Sequence, residues 1–330
     1  MPDPTRRGLL AGSAALATAL ARPASAAPRS LRLGHINGAG SQLGAACTAF
    51  AAAVAASPVL APVLKVEVHP NGALGGEAEM VQACLDGTLD LVFTTSVVAG
   101  ALAPEAGLLD AAYLFRDKAH ARAALDGSIG EEIAALLGRK NLPILAWGEN
   151  GPRHVTANKP VRSPADLQGL RIRVPQSEVM LAGFRALGAL PEPLAFPQIF
   201  EALRTGRFQA QENPVSTIVA AGFEKVQSHL SLTGHIYSAA FFAASGDLME
   251  DLDEAQRAAL RDCARAGARA SREAVDTAER DGVAKLRAGG MTIVTDVDRA
   301  AMAAAARPAL EALGRQHGAD LIRRIQSLGA

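Results

Sequence analysis

The stretch 31–68, LRLGHINGAGSQLGAACTAFAAAVAASPVLAPVLKVEV, decides the fold class. Leu31–Ile36 is a short, largely apolar run and predicts a strand. The alanine-rich segment from about Ser41 to Ala56 predicts a helix. Ser57-Pro58 ends it, because the residue before a proline is pushed out of the helical region. Val63–Val68 then alternates apolar and polar residues, the period of a strand. Strand, helix and strand in succession make a βαβ unit, which calls for a parallel sheet.

The same rhythm runs outward along the chain. Pro70-Asn71-Gly72 marks a turn, a helix around Glu77–Leu85 stops at Asp86-Gly87, and Leu89–Phe93 reads as a buried strand. A helix through about Ala119–Arg139 precedes a strand at Ile144–Trp147. The pattern restarts after Gly151: His154–Thr156 is extended, Ser163-Pro164 opens a short helix, Arg171–Val174 is a strand and Ser177–Leu187 a helix. Phe200–Leu203 lies in another helix. Two starts of one grammar predict an α/β fold of two lobes, each a mostly parallel sheet flanked by helices.

Asp251–Arg287 has no proline and predicts a single helix. At ~1.5 Å per residue it would be roughly 50 Å long, enough to span both lobes. Asp276/Arg280 and Asp281/Lys285 stand at i,i+4 spacing on it, in the favourable orientation, and its charged face is expected to be solvated. Pro308 should kink or end the alanine-rich helix that follows. The boundaries that result are 27–150 plus 239–278 for the first lobe, and 151–238 plus 279–330 for the second.

The 330 residues carry 33 basic and 33 acidic side chains, so net charge gives no pull toward nucleic acid or an anionic membrane surface. Beyond the first thirty residues no apolar run is long enough to span a bilayer. The N-terminus has another character. Thr5-Arg6-Arg7-Gly8-Leu9-Leu10, an uncharged small-residue run and Pro23-Ala24-Ser25-Ala26 together form a twin-arginine export signal over residues 1–26, so a periplasmic location is expected. Cys47, Cys84 and Cys263 lack C-x-x-C spacing and read as buried small hydrophobes, with a Cys47–Cys84 bridge left open.

Three segments can carry chemistry. In Gly169-Leu170-Arg171-Ile172-Arg173-Val174-Pro175, alternation sets Leu170, Ile172 and Val174 on one face and Arg171 and Arg173 on the other. Arg173 stands at the C-terminal end of a strand, where open α/β sheets hold their ligands. Its planar fork matches a carboxylate and stays charged when desolvated. Glu149-Asn150-Gly151-Pro152-Arg153-His154 lies at the junction of the lobes, with Gly-Pro predicting a tight loop that turns Arg153 toward the space between them. In Gln211-Glu212-Asn213-Pro214, Asn213 precedes a proline, is held extended, and can both donate and accept.

Taken in order, these segments resemble the DctP-type solute receptors of TRAP (tripartite, ATP-independent periplasmic) transporters. The resemblance runs from Ala73-Leu74-Gly75-Gly76-Glu77 and Pro104-Glu105 through Trp147–His154, Asp166–Pro175 and Gln211–Pro214 to Ser231–Ser238. It implies an exported receptor, not an enzyme, working with separate membrane subunits; no cofactor is expected, and whether a metal ion bridges the ligand stays open. By the same resemblance Arg173 grips the ligand carboxylate, Arg153 assists, Asn213 hydrogen-bonds the ligand, and Glu77, Thr95, Phe196 and Ser177 line the cleft. Pro152, Gln209-Ala210 and Gln198/Phe200 depart from the family pattern, where an aromatic, Asp-Gly and Glu/Tyr are usual. Those departures bear on which acid is bound, and mono- and dicarboxylates, keto acids and sugar acids all stay open.

Two rival classes have some support in the sequence. Gly38-Ala39-Gly40-Ser41-Gln42-Leu43-Gly44 follows a strand and opens a helix, as a dinucleotide-binding turn would in an exported NAD(P)-dependent oxidoreductase. Its last glycine falls one residue late, however, and Glu67 stands too far on for the ribose-binding acid. A binding protein of another transporter class differs mainly in its membrane partner. No G-x-S-x-G or H-E-x-x-H motif points to a hydrolase.

Overall fold

A computed structural model describes residues 27–329; the export signal expected at 1–26 lies outside them. Among the described residues nine strands form one sheet: β1 (Arg29–Gly34), β2 (Leu64–His69), β3 (Leu91–Thr95), β4 (Ile144–Ala157), β5 (Arg171–Val174), β6 (Leu190–Pro193), β7 (Ala210–Pro214), β8 (His229–Ala244) and β9 (Thr292–Val294). The order is β2-β1-β3-β8-β4-β7-β5-β6, with β9 beside β8. Each end of the sheet is parallel, β2-β1-β3 on one side and β7-β5-β6 on the other. The two ends are the predicted lobes. They share one sheet because β4 and β8, long and antiparallel to each other, run through both.

Buried alternation explains the layers. Leu91 and Phe93 of β3 and Ala240, Phe242 and Ala244 of β8 pack to one side of the sheet, with Leu31, Leu33 and Phe50. Val92, Phe241 and Ala243 point to the other side, against Met80, Leu125 and Ile133. A sheet covered on both faces needs such near-continuous apolar strands.

The junction departs from the sequence reading. Gly151-Pro152 makes no loop; β4 continues through it. Gly151 takes φ +117° at a register shift between Glu149 and Gly151 opposite β8, a bulge that bends the strand without ending its pairing. An added Cβ there would also stand 3.1 Å from Val275, so only glycine fits. The expected helix at 119–139 is two, Lys118–Asp126 and Ser128–Gly138, separated by extended Gly127.

The spanning helix is Glu254–Ala288, 35 residues, opened by an Asp253/Gln256 capping box. Its charged face is not simply solvated. Asp276 accepts from Lys118 at 2.6 Å and Arg122 at 2.9 Å rather than from Arg280, whose Nη2 donates to Thr277 instead. Arg272 clasps Asp126 at 2.7 Å. Asp281/Lys285 forms no ion pair among the described residues. Pro308 does not end its helix, which runs Arg299–His317. The stretch assigned to the second lobe as 279–330 packs, in its described residues, against both halves. Met302 and Ala306 pack against Ile172 and Phe184, but Leu313, Leu321, Ile322 and Ile325 join the core of Leu125, Ile129 and Leu137.

All three cysteines are free and buried, so the Cys47–Cys84 bridge left open is not formed. Burial pushes the Cys84 thiol up to about 12, which holds it in the unreactive protonated form. A thiol reagent is expected to modify none of the cysteines in the native protein over minutes, and all three in denaturant. Rapid labelling of the native protein would contradict this packing.

Candidate functional site

A cleft of about 520 Å³ opens at the C-terminal ends of the parallel strands of both halves. Ile36 and Asn37 follow β1, Thr95 ends β3, Arg173 stands one residue before the end of β5 with Pro175 just beyond it, and Asn213 stands one residue before the end of β7. Arg153 reaches in from β4, Glu77 from the start of the helix Glu77–Leu85, and Phe196 from the loop after β6. The position is the one an α/β sheet reserves for ligands, where strand ends and helix N-termini converge. Six of the seven sequence-predicted residues line it. Ser177 does not: its hydroxyl accepts from Met180 N and caps the helix Glu178–Ala186.

Arg173 is 3% exposed. Its Nε and Nη2 donate to the carbonyl of Leu194, at 2.8 and 2.5 Å. Among the described residues no acid lies within ion-pair distance of it. Burial therefore pulls its pKa down, to about 9, with Glu212 and Glu77 opposing from a distance and Arg153 adding to the fall. At neutral pH the group keeps its charge without a counter-charge in contact.

Arg153 is different, although it is equally buried. Its Nε meets Glu212 Oε2 at 2.5 Å and its Nη2 meets Oε1 at 2.6 Å, a two-pronged pair. Nη2 also reaches Asn213 Oδ1 at 3.3 Å, and Asn213 Nδ2 donates to Gln211 Oε1 at 2.6 Å. Burial alone would raise the Glu212 carboxyl, but the charge and hydrogen bonds of Arg153, with His235 at 3.0 Å, hold it down at about 2. His154, neutral through burial with a pKa near 3, accepts from Gly234 N.

Glu77 stands on the opposite wall. Its Oε1 accepts from Thr94 Oγ1, Thr95 N and Thr95 Oγ1, all within 2.8–2.9 Å. Sequence reasoning missed a polar network that reaches the cleft through Asn150. Gln42 Nε2 donates to Asn150 Oδ1 at 2.6 Å, and Asn150 Nδ2 to Ser238 Oγ at 3.1 Å. It also missed Glu212 as the partner of Arg153, whose one sign was an acid inside a strand. Gly44, the late glycine of the Gly38–Gly44 turn, has a local explanation: a Cβ there would lie 2.1 Å from the carbonyl oxygen of Ala39. The turn closes on itself at Ser41, whose side chain caps the helix Gln42–Ala56. Among the described residues no group of His, Cys, Asp and Glu could hold a metal ion. None of their helices is long and apolar enough to cross a membrane.

Comparison with known proteins gives a consistent result. Residues 33–316 match the DctP model, bacterial extracellular solute-binding protein, family 7. A solute-binding protein of Verminephrobacter eiseniae is 42% identical over 264 residues, 80% of this chain and 79% of that one. A TRAP periplasmic solute-binding protein from Polaromonas, bound to D-erythronate, is 36% identical and superimposes with a TM-score of 0.88 over 91% of this chain and 99% of its own. One from Bordetella bronchiseptica, whose bound density is assigned as pantoate, is 37% identical with a TM-score of 0.87 over the same shares. By sequence over most of its length and by architecture, the chain belongs to the DctP family of bacterial extracellular solute-binding proteins.

Proposed function

We propose that this protein is a periplasmic receptor that captures a small organic carboxylate in the cleft and delivers it to separate TRAP membrane subunits. One observation carries the reading: Arg173 is a buried cation at the cleft wall whose hydrogen-bond partner is a carbonyl and not an acid. A desolvated guanidinium without a counter-charge gains most from an arriving carboxylate, which its fork can take in two parallel bonds. The organic acids bound by the Polaromonas and Bordetella proteins support the ligand class.

In this account Arg173 holds the carboxylate. Asn213 and Thr95 offer hydrogen bonds, Phe196 covers an apolar face, and Arg153, balanced by Glu212, adds N–H donors more than charge. Ser177 contributes only by fixing its helix. The division into 27–150 plus 239–278 and 151–238 is the moving pair, with the C-terminal helices bridging the two. The ligand favours the closed arrangement through contacts that exist only there. The chain binds and does not transform its ligand, needs no cofactor, and leaves the cytoplasm by the twin-arginine route.

A thermal-shift screen of a few hundred organic acids, run on purified mature protein, tests the reading. A ligand present at ~100 times its dissociation constant should add about 2.7 kcal/mol to stability. Stabilisation by uncharged sugars or by NAD(P)H, with none from any carboxylate, would sink it.

A further inference from the structure

Among the described residues four ionisable side chains line the cleft, Glu77, Glu79, Arg153 and Arg173. Two of them are already accounted for. Arg153 is neutralised by Glu212, and Glu79 is an exposed residue whose Oε2 accepts from Gly76 N at 2.6 Å. Among the described residues this leaves one cation and one anion on the lining: Arg173 near the end of β5, and Glu77 at the start of the helix Glu77–Leu85. They form no ion pair with each other among the described residues.

Glu77 is held in that position. Three donors converge on its Oε1, two of them from Thr95, while its Oε2 has no hydrogen-bond partner among the described residues. A carboxylate pinned by one oxygen presents the other as an acceptor. It suits a donor on the ligand and repels a second negative charge. We propose that the receptor selects acids with a single carboxylate and a hydroxyl at the far end, and that Glu77 rejects dicarboxylates. This rests on the receptor reading above and narrows its ligand class.

Matched pairs of ligands test it. D-erythronate and meso-tartrate differ only at carbon 4, a hydroxymethyl in one and a second carboxylate in the other. D-galactonate and galactarate differ in the same way over six carbons. By calorimetry the monoanion of whichever pair binds should be at least about a hundredfold tighter than its dianion, since facing like charges cost several kcal/mol. Glu77→Gln keeps an oxygen for the three donors but loses the charge. It should shrink that ratio at least about tenfold, mainly by admitting the dianion. Equal binding of the two members of a pair, tighter binding of the dianion, or a ratio unchanged in Glu77→Gln would overturn the proposal. In that event the loss of binding in Arg173→Ala would still uphold the receptor reading. If no carboxylate bound the wild type at all, the receptor reading would fall and this proposal with it.

Discussion

Arg173→Ala is expected to weaken ligand binding by about thirtyfold to several thousandfold while leaving the empty protein folded, and no less stable than wild type. The loss follows from removing one partner of a desolvated charge pair, which costs about 2–5 kcal/mol. Preserved stability follows from what Arg173 does when no ligand is present. It is 3% exposed, has only the Leu194 carbonyl as a hydrogen-bond partner among the described residues, and is pulled down in pKa by burial. A cation kept dry without a counter-charge works against folding, so deleting it removes a cost. Arg173→Lys should also bind poorly, because a point charge cannot reproduce the fork. Calorimetry for affinity, with urea unfolding of the empty proteins, measures both halves. Binding within threefold of wild type would remove Arg173 from the site, and a large loss of stability would make it a structural residue.

Glu212→Ala should do the opposite, destabilising the fold by about 3–5 kcal/mol whether or not ligand is present. The substitution leaves Arg153, 2% exposed, buried without its two-pronged partner, and also strips His235 of its contact at 3.0 Å. Replacing both ends by apolar residues, Arg153→Met with Glu212→Leu, should recover much of the loss, because it is the orphaned charge that is costly. The pair also fixes an acid limb. Glu212 titrates near 2 in the folded chain, below the ordinary 4.5. Its contribution is therefore complete above about pH 4.5 and drains away as pH falls toward 2. Urea midpoints of the single and double variants, measured across that range, check the sign. A Glu212→Ala protein as stable as wild type would contradict the account.

Much of the fold is legible because its signals are local. Alternation in Val63–Val68 and the cap at Ser41 fix elements by their own chemistry. The proline-free run 251–287 does the same, and Arg173 stands out because a strand has only two faces. What escapes is decided by partners far along the chain. Gly151-Pro152 reads as a loop because Gly-Pro is turn chemistry. Pairing with β8, more than eighty residues on, overrules that preference, and the glycine becomes a bulge. Asp276 looks like a partner for Arg280 on its own helix, yet Arg122 and Lys118 from another helix take it. Arg153 and Arg173 look alike in sequence. Only the fold shows that Glu212, 59 residues away, has already claimed one of them.

A crystal structure of the protein with a bound organic acid bears most directly on the claim that Arg173 is the carboxylate grip. The account predicts one ligand carboxylate oxygen on each of two guanidinium nitrogens of Arg173, at hydrogen-bonding distance, inside the cleft. A ligand whose carboxylate lies elsewhere, with Arg173 still bonded only to the carbonyl of Leu194, would contradict it.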